Sequence, residues 1–449
     1  MRPSKLFPRL LASALACSMT AATAASLDDS IIAGAARIEP QVIAWRRDFH
    51  QHPELSNREV QTSAKVAAHL QALGFDEVHT GIAHTGVVGL LKGGKPGPVV
   101  ALRADMDALP VQEPPGLPFA STVTADYNGK TVPVMHACGH DAHTAILMGV
   151  ASVLAGMKAE LPGTVAFIFQ PAEEGPPEGE KGGARLMLEE GLMARTQKPG
   201  AIFGLHVWPN VPGSLAYRVQ GQMAASDRLK IVVTGKQVHG SSPWKGVDPI
   251  NVSAQIMTAL QAIPSRQLDI TKAPSVITIG SIHGGVRGNI IPDRVEMVGT
   301  LRNFDETVRS EAHARLRRTA TAIAEAAGGR AEVDITEQTV VTWNDPTLAQ
   351  RMRPTLEKAA PGQVLESPLV MAGEDFSYYQ REIPGLFVFL GINKPGVKAE
   401  DAATNHSPEF FVNEAALVTG VRALGMLATD WLAAAPEVAR PVAWQNAVP

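Results

Sequence analysis

Met135-His136-Ala137-Cys138-Gly139-His140-Asp141-Ala142-His143 gathers a thiol, imidazoles and a carboxylate into one short segment. Cysteine thiolate and imidazole are good ligands for zinc and similar divalent ions. Gly139 lets the chain turn closely between two such donors. Read alone, the segment also fits a helix start with incidental histidines. Further polar segments argue against that bland reading. Gln170-Pro171-Ala172-Glu173-Glu174 follows a strongly apolar run, and its adjacent carboxylates cannot be buried without a cation or a proton. His206 follows a second such run, and Asp105 and Asp107 follow a third. Asn405-His406-Ser407-Pro408 is a fourth polar segment, after the run ending at Leu390.

The elements that must position these residues can be read from the apolar pattern. Val99–Leu102, Val165–Phe169, Ala201–Leu205 and Leu386–Leu390 are short, near-continuous apolar runs and read as buried strands. Helix-like stretches such as Thr144–Met157 lie between them. Alternation of this kind predicts an α/β fold with a mostly parallel sheet covered on both faces. In such a sheet ligands sit outside the carboxyl ends of the strands, where His206, Glu173, Glu174, Asp105 and Asp107 all fall. A different texture begins near Ala224. It runs as strand, helix, strand, strand, helix, strand, the split βαβ (ferredoxin-like) order. Asp248-Pro249 starts the first of those helices as N-cap and first-turn proline. The second, about Glu306 to Ala327, ends at Gly328-Gly329. Residues 220–339 therefore read as an insertion within a larger domain of residues 26–219 and 340–449. Gly175–Gly183 reads as a mobile surface loop.

The first 25 residues carry Arg2, Lys5 and Arg9, a short apolar run and an Ala22-Thr23-Ala24 ending. That is the form of a signal peptide cleaved near Ala24–Ser26, and it predicts a secreted, periplasmic protein. Cys17 would leave with it unless a faint lipoprotein-like box directs its lipidation. Cys138 then stands alone, which excludes an internal disulfide. A net charge of −4 over 449 residues, with no basic block, gives no case for nucleic acid as a partner. No apolar run of about 18 residues reads as a transmembrane helix.

The segments RADMDALPVQE, MHACGHDAHTA, QPAEEG, GLHVWP, GEDFSYY and NHSPEF, in that order, resemble those of the dinuclear-metal N-acyl-amino-acid amidohydrolases. That group includes hippurate hydrolase and the plant indole-acetyl-amino-acid hydrolases, within the aminoacylase and carboxypeptidase G2 clan. The resemblance spans nearly the whole chain after residue 25. It implies a catalytic domain carrying an inserted lid or dimerisation domain. It implies two divalent ions per subunit, zinc, manganese, cobalt or nickel, with Cys138 as bridging ligand and His140, Glu174, His206 and His406 as the others. Glu173 takes the place of the general base, Asp105 and Asp107 become groups that orient ligands, and His136 and His143 become structural or ligand-supporting groups. His239 corresponds to a histidine that reaches the partner subunit's active site and stabilises the oxyanion, which implies a homodimer or higher homo-oligomer through the lid. Asn289 and Arg302 correspond to residues that hold the substrate carboxylate, and an arginine fork suits that geometry. The implied activity is hydrolysis of small N-acyl amino acids. The pattern departs at Trp244, where many members carry a second histidine, and an indole there would favour an aromatic or apolar acyl group.

Three other readings compete. A dipeptidase or carboxypeptidase of the same clan would use the same residues. A thiol enzyme with Cys138 as nucleophile would survive chelators. A periplasmic binding protein with a structural metal would need no spare base beside its ligands, and paired Glu173-Glu174 speaks against it.

Overall fold

Val100, Leu102 and Ala104 pack into one hydrophobic core and Ala101 into another, so a single strand is buried on both faces. A computed structural model describes residues 26–434. The expected signal peptide, Cys17 included, lies outside the described residues. Strand Lys95–Asp105 sits inside an eight-stranded sheet with parallel neighbours Pro162–Gln170 and Ala201–Trp208. Gly385–Gly391 continues the parallel set beside Ala201–Trp208. Antiparallel strands Gly86–Lys92 and Glu77–Ile82 close one side, and short strands Leu215–Tyr217 and Val364–Glu366 close the other. Helices Leu27–Gln51, His140–Ala155 and Leu417–Ala433 cover one face. Gly183–Glu189 and Phe376–Glu382 cover the other. This is the mostly parallel α/β sheet that the apolar runs predict.

One expectation is corrected. Glu414–Ala433 is long and apolar enough to cross a bilayer by length and composition. However, its most apolar part is mostly buried, and the helix packs against Leu27–Gln51, His140–Ala155 and Pro346–Ala359. Its hydrophobicity serves the protein core.

The insertion forms a separate antiparallel sheet in the order Ser275–Gly284, Arg294–Asn303, Ala225–Thr234, Arg330–Thr339. Alternate residues Leu229, Ile231 and Val233 turn inward against helices Pro249–Ala262 and Glu306–Ala326, the period-2 pattern of a one-faced sheet. Asp248 caps the first helix by accepting from the N–H groups of Ile250 and Asn251. Where the chain enters and leaves the insertion, strands Gln220–Met223 and Thr342–Asn344 pair with each other. Buried Asn344 ties that junction by donating to Arg218 O at 2.8 Å and to Gln222 Oε1 at 2.9 Å.

Candidate metal centre and active site

The parallel strands end at Asp105, Gln170 and Trp208, side by side, and the chemistry collects at that edge. Gly139 has φ +98°, and a Cβ there would lie 2.3 Å from Val207 Cγ2. Only glycine lets Cys138 and His140 approach the strand end so closely. Helix His140–Ala155 therefore starts four residues earlier than its apolar periodicity suggests. Cys138 Sγ lies 3.4 Å from His206 Nε2. His206 Nδ1 bonds to the Val207 carbonyl at 2.8 Å and so carries the proton, which leaves Nε2 as a lone pair facing the thiol. His140 Nδ1 bonds Asp107 Oδ1 at 3.1 Å, and its Nε2 lies 3.9 Å from both Glu173 Oε2 and Glu174 Oε1. His406 adopts φ +70°, anchored by its N–H to Ala137 O at 2.8 Å, and places Nε2 3.0 Å from Glu174 Oε1.

These donors fit a pair of cations. Cys138, His140 and His206 form one cluster of potential ligand atoms within 4.8 Å of each other, and Cys138, Glu174 and His406 form a second. Cys138 is common to both, the place a bridging thiolate would take. His140 Nε2 and Glu174 Oε1 are buried without an aligned hydrogen-bond partner, a costly state unless a cation meets them. Burial, then Glu174, Glu173 and Asp105, push the Cys138 thiol well above its ordinary value. A free thiolate nucleophile is disfavoured there, whereas a divalent ion would stabilise the thiolate directly.

Asp107 organises the site by accepting four hydrogen bonds. They come from His140 Nδ1, from the Ser56 hydroxyl at 2.7 Å and from the backbone N–H groups of Glu173 and Glu174 at 3.1 and 3.0 Å. Asp105 binds His143 Nδ1 at 2.5 Å, and His143 Nε2 accepts from Val207 N at 2.8 Å. His143 thus links two strand ends and supports the ligands. His136 is buried with both ring nitrogens unpartnered, and burial pushes it down to about 3, so it stays neutral.

Sequence reasoning missed several participants. Arg103 is fully buried and spans Asp105 (2.6 Å), Glu374 (3.0 Å), Asp375 (3.0 Å) and Gln170 Oε1 (2.9 Å). A lone arginine inside the run Val99–Ala104 was the available signal. Glu59 and its neighbours gave none. The Gly175–Gly183 loop, expected to be mobile, is tied through Glu180 to Asn57 at 3.0 Å and Arg58 at 2.6 Å.

A cavity of about 1260 Å³ opens over Cys138, Glu173 and His206, with Trp208 on one wall and Arg302 of the insertion on another. Arg302 is half-buried and has no ion pair among the described residues. The structure does not bring His239, Asn289 or Trp244 to this cavity. His239 and Asn289 sit exposed on a ribbon formed by Val238–His239 and Ile290–Ile291. His239 Nδ1 accepts from the Ser241 N–H at 3.1 Å. Trp244 is 77% exposed, so the expected effect on this chain's own pocket has no contact behind it.

Residues 101–430 match Peptidase family M20/M25/M40. Thermostable carboxypeptidase 2 of Saccharolobus solfataricus is 42% identical over 394 residues, 87% of this chain and 95% of its own. N-acetylcysteine deacetylase of Bacillus subtilis is 38% identical over 389 residues, 86% of this chain and 96% of its own. The solved structure of the Bacillus subtilis YXEP protein, a dinuclear metal binding peptidase from the M20 family, is 36% identical. It superposes with a TM-score of 0.73 and covers 88% of this chain and 99% of that one.

Proposed function

The chain belongs to peptidase family M20/M25/M40 and is a metal-dependent amidohydrolase or peptidase, and on that premise we propose that it hydrolyses the amide bond of N-acyl-L-amino acids. Hippurate-like, N-acetyl and aryl-acyl conjugates are the substrates in view. The observation that carries this reading is Arg302. Its unpaired guanidinium lines the same cavity as Glu173 and Cys138, so an anion held there lies within one pocket of the reacting groups. The name of the Bacillus subtilis deacetylase relative supports the same substrate class.

Cys138, His140, Glu174, His206 and His406 would hold two ions, with Asp105 and Asp107 fixing the ligands. Thiolate and imidazole favour zinc, cobalt or nickel, and the carboxylates tolerate manganese. When bound, such ions lower the pKa of water toward about 7 and polarise the amide carbonyl. Glu173 takes the proton of the attacking water and returns it to the leaving amine. Burial, then Glu374, Glu174 and Asp375, push its carboxyl well above the ordinary range, which suits a group that must carry a proton between two steps. His239 and Asn289, exposed outside this chain's own cavity, fit a role across a homodimer, His239 toward the oxyanion and Asn289 toward the carboxylate. The signal-peptide pattern of residues 1–25 supports placing this activity in a secreted, periplasmic protein.

The 42% identical carboxypeptidase relative favours a second reading, release of C-terminal residues from peptides. Both activities need a free carboxylate at Arg302. Metal-reconstituted protein assayed on N-acyl amino acids, dipeptides and their carboxamides separates them. We expect Glu173→Ala to abolish hydrolysis with metal still bound, and Arg302→Met to raise KM for free acids only. Full turnover by Glu173→Ala would refute the mechanism.

A further inference from the structure

Between helices Leu27–Gln51 and Val60–Ala72, the four residues Ser56–Glu59 reach three parts of the active site. The Ser56 hydroxyl donates to Asp107 Oδ2 at 2.7 Å. Asn57 Nδ2 donates to Glu180 Oε2 and to Lys181 O, both at 3.0 Å. Arg58 pairs with Glu180 at 2.6 Å. Fully buried Glu59 accepts from Ala172 N at 2.9 Å, Asn57 N at 3.1 Å and the Thr85 hydroxyl at 2.6 Å.

Ala172 is the pivotal contact. It connects the end of strand Pro162–Gln170 to Glu173 and holds φ +53°, a left-handed conformation that alanine rarely adopts. Such a conformation persists only where its surroundings over-determine it. Glu59 supplies that constraint by giving the Ala172 N–H its partner. The residues that follow then point the Glu173 and Glu174 N–H groups at Asp107. Asn57 is itself left-handed at φ +61°, so its side chain turns back toward the loop that walls the cavity. One segment therefore fixes the turn that aims the base and the wall that meets the substrate.

We propose that Ser56–Glu59 is a positioning brace for hydrolysis, in which Glu59 sets the aim of Glu173 and Asn57 pins the Glu180–Lys181 wall of the substrate cavity. The proposal rests on the reading of Glu173 as general base. It assigns the two arms different kinetic signatures. Loss of aim at Glu173 lowers kcat, because sub-ångström misplacement of a reacting group is costly. Loss of the wall raises KM, because binding is weakened while the reacting groups stay in place.

The test measures kcat, KM and bound metal on metal-loaded full-length protein with an N-acetyl amino acid, for Glu59→Met, Glu59→Gln, Asn57→Gly and Glu173→Ala. Glycine at 57 removes the amide without straining its φ. Glu59→Met is expected to lose about tenfold or more in kcat, with KM within about twofold and metal content unchanged. Glu59→Gln keeps an oxygen for the Ala172 N–H and is expected to recover most of that loss. Asn57→Gly is expected to raise KM about fivefold with kcat near the parent. Equal impairment by Glu59→Met and Glu59→Gln would overturn the proposal, as would loss of metal in step with kcat. If Glu59→Met does not fold, Thr85→Val and Asn57→Gly decide. A lowered kcat in the first and a raised KM in the second support the brace, and parental values in either overturn it. Activity retained by Glu173→Ala would instead remove the general-base reading, leaving the Asn57 effect on KM to stand by itself.

Discussion

Arg103 in the catalytic domain and Arg309 in the insertion are both buried and both ringed by acids, yet their surroundings differ in where surplus negative charge goes. Around Arg103, the carboxylates of Asp105, Glu374 and Asp375 are themselves buried. Burial pushes Glu374 up to about 8 and Asp375 up to about 6 even though Arg103 opposes it. Around Arg309, only Asp227 is buried, and Glu306 and Glu337 reach water. Burial would raise Asp227, but hydrogen bonds from Arg309 and His313 hold it below its ordinary range. The first cluster, closed to water beside the proposed metal ligands, sheds part of its charge by holding a proton on Glu374, and the second vents it to solvent. Carboxyls raised in this way mark a working site, where a cation or a moving proton can use them.

The largest expected effect tests that difference directly. Arg103→Met leaves Glu374 and Asp375 buried with no cation beside them, while Asp105 keeps His143 and His140, and should destabilise by about 3–5 kcal/mol. Arg309→Met leaves Asp227 with His313 still in place, and about 2 kcal/mol is expected. Urea midpoints with hydrogen exchange in each sheet would measure both, and equal losses would break the comparison.

The acids sharpen it next. Asp227→Asn removes the charge that Arg309 and His313 bind and should cost about 2 kcal/mol at neutral pH. Glu374, raised to about 8, is already mostly protonated there, so Glu374→Gln should cost under about 1 kcal/mol. The signs of pH dependence also differ. The raised Glu374 contributes stability that is full below its unfolded value of about 4.3 and is lost as pH rises toward the folded value. The lowered Asp227 contributes stability present above about 3.9 and lost as pH falls through its folded value. Hydrogen exchange on chelated protein should show the larger sheet loosening toward pH 8 and the smaller one in acid. Parallel pH profiles for the two sheets would remove the distinction.

The two clusters also show what the sequence made legible. Strands buried on both faces read as apolar runs, and the insertion read as alternation, because each pattern follows from which faces meet water. Glu173, Glu174 and His206 were legible because they follow strand ends, Cys138 and His140 because ligand types crowd one short segment, and His406 as a polar segment after the last strand, and the fold does gather them. Arg103 and Arg309 were not singled out, since sequence does not reveal whether an arginine is covered. Glu59 lies in a short connection whose partners, Thr85 and Ala172, are 26 and 113 positions away. Those pairings exist only after the sheet has formed. His239 and Asn289 were identified by resemblance alone, and within one chain they lie on a ribbon apart from the cavity.

The smallest effect is expected where the Arg309 cluster meets the catalytic domain. Glu337 binds Arg309 at 3.0 Å and also approaches Arg185 at 3.2 Å and Arg381 at 3.5 Å from across the domain junction. Three cations around one carboxylate suggest a keystone, but Arg185 is half-exposed and Arg381 a third exposed, and water screens them both. Glu337→Gln should therefore cost only about 0–1 kcal/mol, and less at high salt. A loss as large as that of Asp227→Asn, insensitive to salt, would mean that charge around Arg309 is not vented at Glu337. The two arginine clusters would then be alike, and proximity to the metal ligands, rather than trapped charge, would be what sets Arg103 apart.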